Sequence, residues 1–311
     1  MQRLSRDWIK LKHFLQVSKM SEIIQFVESL LQLQLKQLAS IQETDAMAIY
    51  GSLYPSLPEL VRDSIEDIPS DERNKNLTIL LHTGGGLIDS VERTVEVLRH
   101  HYELIDFIVP GHAMSAGTLF TLSGDNIYMN YFSKLGPIDP QFYVDGKWIP
   151  GLAYLEKFNQ LNDKSEKGTL TPLEYGLALK LDVADIHQYE QAQEHSVELL
   201  EKWLSSYKFN TWDQTQNSQQ RVTLPMKQDR AKEIALKLND TKRWHSHSRG
   251  ISMNTLQDEI GLLIRNFEED PHLKAIVKRL HTLITDYMTE TSEMSILVRL
   301  VNFNQSEDNH E

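Results

Sequence analysis

The sequence predicts an α/β protein whose core is built from repeated βα units, with helices added at both ends. Three features predict it. Short apolar, partly β-branched runs alternate with helical periodicity between Ala46 and Asn130, glycine and proline clusters close those runs, and the pattern becomes almost wholly helical beyond Pro150.

The elements follow in order. Glu22 to Gln42 carries apolar residues at Ile23, Ile24, Val27, Leu30, Leu31, Leu33, Leu35 and Leu38, which is helical spacing. Ala46 to Tyr50 reads as a buried strand, ended by Gly51 and Pro55, and Pro58 to Asp67 as a short helix with proline near its first turn. Leu77 to Leu81 is a run suited to a parallel strand covered on both faces. After Gly84-Gly85-Gly86, Leu87 to Arg99 forms a helix with Val91, Val95 and Leu98 on one side. Ile105 to Val109 is the next strand, Ser115 to Leu122 a short apolar helix, Asn126 to Asn130 a further strand and Leu135 to Pro140 a turn. Phe142 to Ile149 has the form of a hairpin turned at Asp145-Gly146. Leu152–Leu161, Pro172–Leu204, Lys227–Leu238, Leu256–Phe267 and Leu273–Met288 favour helix, Tyr207 to Arg221 a polar loop, and Ile296 to Val301 a last strand. The expected division is an N-terminal helical segment (1–44), the α/β core (45–165), a mainly helical region packing on it (166–305) and a flexible tail (306–311).

A net charge of −12 argues against nucleic acid as a partner. The chain has no cysteine, so thiolate catalysis, disulfides and cysteine-bound metal are excluded. With no apolar run of about 18 residues and no apolar stretch behind the basic residues of Met1 to Lys10, neither a membrane span nor a signal peptide is expected. The cytoplasm is the expected compartment.

Two motifs carry candidate chemistry. In His82-Thr-Gly-Gly-Gly-Leu87, glycines directly after a strand let a ligand approach exposed amides, which could hold a phosphate or a developing oxyanion; a purely structural turn is the alternative. It is neither a Walker loop nor a dinucleotide fingerprint. In Gly111-His-Ala-Met-Ser-Ala-Gly117, Ser115 opens a helix, where it is either a nucleophile beside unpaired amides or a simple N-cap. Ala113 stands two places before it, so this is not the hydrolase nucleophile elbow.

Strand, Gly-Gly-Gly, helix, strand, Gly-x-x-x-Ser-Ala-Gly, helix, strand and Leu135-Gly-Pro-Ile-Asp-Pro-Gln141 together resemble the ClpP/crotonase superfamily. The match is closest to the serine dehydrogenase proteinase family, relatives of signal peptide peptidase A. The resemblance spans Ala46 to Gln160, with a weaker likeness at Trp244 to Ile251 that suggests a wall of the cleft. It implies Ser115 as nucleophile, an oxyanion hole from the amides of Gly85, Gly86, Leu87 and Ala116, and peptide or unfolded protein as substrate, with no cofactor. Where ClpP carries its histidine, this chain reads Ile138-Asp139-Pro140. Signal peptide peptidase relatives use a lysine from further along, which makes Lys157 the first choice of base, before Lys134 and Lys147. Such a lysine needs an apolar enclosure that keeps it neutral.

Asp139 is expected to anchor the base or support the turn, and His82 and His112 are alternative bases. His245 and His247 lie two apart with no carboxylate pattern beside them, and no metal site is expected. The leucine-bearing face of Glu22 to Leu38 and the helices after Pro172 suggest a homo-oligomer. Two readings compete with a peptidase: a crotonase-like acyl-thioester enzyme and a catalytically silent interaction protein.

Overall fold

The computed structural model describes residues 24–144, 147–215, 220–291 and 297–303, with side chains not described at 141–150, 152–153, 241 and 297–298. The N-terminal stretch, the Asp145-Gly146 turn, residues 216–219 of the polar loop, Ile296 and the tail lie outside the described residues.

Helix α1 (residues 24–42) leads into β1 (Asp45–Tyr50), α2 (Leu57–Glu66), β2 (Asn76–His82), α3 (Ile88–His101), β3 (Leu104–Ile108), the short β4 (His112–Ala113), α4 (Ala116–Leu122) and β5 (Asn126–Met129). Next come β6 (Lys134–Leu135), the β7–β8 hairpin (Gln141–Val144, Lys147–Pro150), α5 (Gly151–Glu166), α6 (Pro172–Ala178), α7 (Val183–Trp203), α8 (Leu224–Leu238) and α9 (Thr241–Trp244). β9 (Ile251–Ser252), α10 (Met253–Thr255), β10 (Arg265–Asn266), α11 (Pro271–Thr291) and β11 (Leu297–Val301) close the chain.

The main sheet runs β10-β5-β3-β2-β1-β11. Its strands are parallel except β11, which pairs antiparallel with β1. Period-two alternation sorts the strand residues between two helical layers. Met47, Ile49, Leu77, Ile79, Leu81, Ile105 and Phe107 face a core shared with α2, α3, α4, α7 and α8. Ala46, Ala48, Tyr50, Leu80 and Ile108 face α1 and α11. Both faces are covered, which is why these strands read as continuous apolar runs.

Two expected helices differ. The run from Pro172 breaks between α6 and α7, where Asp182 accepts the Ala184 amide at 2.8 Å and starts a new helix. Leu256 to Phe267 is a single π-type turn ended by Gly261 at φ 75°, after which the chain extends into β10 at the sheet edge. Leu135, expected in a turn, is in β6. Among the described residues no helix is long and apolar enough to cross a membrane.

Candidate active site

Three segments meet where the parallel strands end. β4 runs directly into Met114 and Ser115, and β2 runs into the triple-glycine bend. They are stitched together by backbone bonds from Thr83 N–H to His112 O (3.0 Å) and from Met114 N–H to Thr83 O (3.0 Å). A Cβ on Gly85, which sits at φ 111°, would lie 2.9 Å from Met114 O and 3.1 Å from Ser115 Cβ. Glycine is required there by both conformation and space. β6, parallel to β4, brings Gly136 against the Ser115 amide, 3.0 Å from where its own Cβ would stand.

Ser115 occupies the cap position of α4 but does not cap it: its hydroxyl makes no capping hydrogen bond. Its backbone lies at φ 53°, ψ −120°, far from the extended geometry of an ordinary N-cap serine. For a residue with a side chain this conformation costs about 1–3 kcal/mol and is characteristic of functional sites. The side chain is half-buried.

The amides around it divide into spent and available. Leu87 N–H donates to Leu53 O at 3.0 Å, and Gly85 N–H donates to the Thr83 hydroxyl at 3.0 Å. Of the four amides expected from sequence to form an oxyanion hole, those of Gly85 and Leu87 are thus engaged elsewhere. The amides of Gly86 and Ala116 have no partner among the described residues. Ala116 begins α4, where helix geometry leaves the first N–H groups unsatisfied.

The alternative bases His82 and His112 are not on this face. His82 pairs in register with Tyr50, whose side chain belongs to the α1/α11 core, whereas α4 lies on the opposite face. There the His82 ring packs tilted against His112 (ring centroids 4.0 Å) and edge-on against His281 (4.9 Å), and its Nδ1 accepts the His112 backbone N–H at 3.3 Å. Tyr50 Oη lies 3.1 Å from His281 Nδ1. Burial first, and then repulsion from the two neighbouring imidazoles, lowers the His82 pKa to about 3; burial also lowers His112 and His281. Lys134 turns toward the same region, lining with these histidines, Tyr131 and Phe132 a cavity of about 430 Å³.

Lys157 is exposed on α5, without the enclosure a lysine base requires, and the Lys147 side chain is outside those described. Among the described residues Lys208 is the lysine whose pKa falls, to about 8 through burial, but it lies beside Asp125 and Asp106 at the opposite strand ends.

Asp139 is buried, with its Oδ1 2.9 Å from Nδ1 of His247. Sequence reasoning missed this pair, because it depends on β9 lying antiparallel to β6 across more than 100 residues. Among the described residues no group of three or more His, Cys, Asp or Glu is arranged to hold a metal ion.

A parallel sheet between two helical layers, with a strained serine opening a helix beside a glycine bend at the strand ends, defines a ClpP-like α/β core. Residues 56–242 match the family described as ClpP-like SDH-type serine proteinase, and the chain belongs to that family. Two proteins of Methanocaldococcus jannaschii are similar over part of the chain. Uncharacterized protein MJ1495 is 33% identical over 110 residues (35% of this chain, 34% of the relative). Uncharacterized protein MJ0137 is 39% identical over 69 residues (22% and 24%). The matched stretches thus span about a third and about a quarter of those relatives' lengths.

Among solved structures, a mutant of the 1510-N membrane-bound stomatin-specific protease is similar at TM-score 0.42 and 13% identity, covering 72% of this chain and 80% of that one. A second mutant of that protease, in complex with a substrate peptide, is similar at TM-score 0.31 and 23% identity, covering 39% and 59%.

Proposed function

We propose that this chain is a serine peptidase that cleaves peptide or unfolded protein chains through an acyl-enzyme on Ser115. One observation carries the reading: a half-buried serine hydroxyl that caps nothing, on a strained backbone, packed directly against the triple-glycine bend. Ser115 Oγ attacks the scissile carbonyl carbon, and the Gly86 and Ala116 amides stabilise the oxygen as it becomes negative. The amine leaves with a proton, and water then releases the acyl group. Family membership supports this chemistry over acyl-thioester turnover or a silent scaffold. A lysine at 157 is the base that the resemblance implies, and it acts only if something covers α5.

Assembly into homo-oligomers in the cytoplasm belongs to the same proposal. It is supported by α6, which buries none of its residues and leaves Leu173, Tyr175 and Leu179 exposed, and by the exposed Val183 that follows. The test is covalent labelling with a fluorophosphonate probe and turnover of casein. Ser115→Ala should abolish both with the thermal melt nearly unchanged. Labelling that survives the substitution refutes Ser115 as nucleophile, and a wild-type chain that neither labels nor cleaves across pH 6–10 refutes the peptidase.

A further inference from the structure

His112 and Lys134 pair in register on β4 and β6, so their side chains leave neighbouring strands on one face. The next pair, Ala113 and Leu135, turns the other way into the core shared with α4. Behind the strand that leads to Ser115 there is thus a second cavity, of about 430 Å³, lined by three imidazoles, Lys134, Tyr131 and Phe132. The turn that presents the two aromatic residues is fixed. Asn130 Oδ1 accepts the Phe132 and Ser133 amides, each at 3.0 Å, and the buried Ser133 hydroxyl donates to Val109 O at 2.6 Å. Yet Tyr131 is 75% exposed and Phe132 62%. Adjacent aromatic rings held out to water by a rigid turn can anchor a ligand with little ordering cost.

We propose that this cavity binds a carboxylate carried on an aromatic body, with Lys134 and His82 meeting the carboxylate and Tyr131 and Phe132 flanking the ring. The electrostatics select an anion. Among the described residues no carboxylate lines the cavity, and the Lys134 ammonium, which has three hydrogens, makes one long hydrogen bond, to Tyr131 O at 3.4 Å. His82 Nδ1 accepts the His112 backbone N–H, so the neutral ring carries its hydrogen on Nε2. That N–H has no partner among the described residues, and burial keeps the ring neutral. Among the described residues the three imidazoles form no metal-holding group, and an ammonium beside them opposes a cation.

Size and lining select the body. The volume is at the lower end for ligand sites, which suits one ring and a short arm. Imidazole, phenol and phenyl rings around it favour a planar guest in edge or offset contact. A free amino acid fits poorly, because its own ammonium would meet Lys134 and find no carboxylate. Two sources present this chemistry: a free aromatic acid, and the C-terminus of a peptide that ends in an aromatic residue. The site makes no use of the Ser115 hydroxyl, so it stands or falls independently of the peptidase reading.

Isothermal titration calorimetry on the full chain tests it. Hydrocinnamate and N-acetyl-phenylalanine should each saturate a single site, with Kd on the order of a millimolar or below, the strength that ligands of this size reach. N-acetyl-phenylalaninamide has the same body without the charge and should bind at least about 10-fold more weakly, as should phenylalanine itself. Lys134→Met keeps the stem that packs against Gly250 and removes the ammonium. It should weaken acid binding about 10-fold or more and erase the preference over the amide. The double variant Tyr131→Ser, Phe132→Ser alters only exposed side chains and should weaken acid and amide alike. N-acetyl-glycyl-glycyl-phenylalanine, measured in Ser115→Ala so that turnover adds no heat, separates the sources. Tighter binding than hydrocinnamate supports the site as one for peptide C-termini, and the reverse order supports it as one for a free acid. Absence of saturable binding by the acids, equal binding of acid and amide, or wild-type affinity in folded Lys134→Met overturns the proposal.

Discussion

The ends of β2 and β4 carry polar groups on both faces of the sheet, and the two faces treat them in opposite ways. On the α4 face, polar groups remain unpaired: the Ser115 hydroxyl caps nothing, and the Gly86 and Ala116 amides have no partner among the described residues. On the α11 face three imidazoles and Tyr50 pack together: Tyr50 Oη lies 3.1 Å from His281 Nδ1, the His112 backbone N–H donates to His82 Nδ1, and burial lowers the pKa of all three histidines. Unsatisfied donors in a cleft are a cost to folding that catalysis can use. Desolvated histidines are a structural element with an acid-sensitive cost. Two histidines that flank the motifs in sequence thus lie on the face away from α4, while the histidine paired with a buried carboxylate stands more than 100 residues away.

The contrast breaks most sharply at Gly85. An alanine there would have to hold φ 111° and place its methyl 2.9 Å from Met114 O. The bend must move away from Ser115, taking the Gly86 amide with it. Gly85→Ala should lower fluorophosphonate labelling about 100-fold or more, the scale of losing one oxyanion donor, while the circular-dichroism spectrum stays that of a folded α/β protein. Labelling within a few-fold of wild type would show that the bend does not serve the serine.

The histidine face sharpens the comparison through pH. The folded His82 pKa is lowered to about 3 from 6.5, so the unfolded chain binds its proton first as pH falls. Its contribution to stability is complete above pH 6.5 and is lost between there and about 3. Between pH 7 and 5 this site alone should cost about 2 kcal/mol. His82→Asn, whose side-chain oxygen can still accept the His112 amide, should flatten the urea-derived stability curve over that range by a similar amount. An unchanged slope would mean that His82 is hydrated.

Most strands and the long helices were legible in the chain, because doubly covered strands are apolar throughout and glycine or proline ends them. Ser115 was legible as a position but ambiguous as a role; its φ and ψ and its idle hydroxyl resolve the cap reading. The spent amides were not legible, since Leu87 is used by Leu53, a loop residue more than 30 positions earlier. Leu256 to Phe267 has helical composition, but Gly261 adopts a left-handed conformation and the sheet edge recruits Arg265-Asn266 beside Tyr128-Met129. Asp139–His247 required knowing that β9 returns to β6. In each case the missing information was a long-range partner.

The smallest expected effect concerns how the α4 face is held in shape. The buried Thr118 hydroxyl accepts the Gly136 N–H at 2.9 Å, and its single proton is shared between Ala113 O (2.8 Å) and Gly136 O (2.9 Å). It joins the strand before Ser115 to the segment leading to Asp139. Valine matches its shape but cannot accept, so Thr118→Val strands a buried amide and should destabilise the fold by about 1 to 2 kcal/mol. The shift should appear in the urea midpoint with m unchanged, and Thr118→Ser should recover most of it. Labelling should fall less than about 10-fold, because the bonds lost run to Ala113 and Gly136 and not to the triple-glycine bend. A larger loss of labelling than Gly85→Ala would reverse the ranking and make the β6 segment, rather than the glycine bend, the stricter geometric requirement of the site.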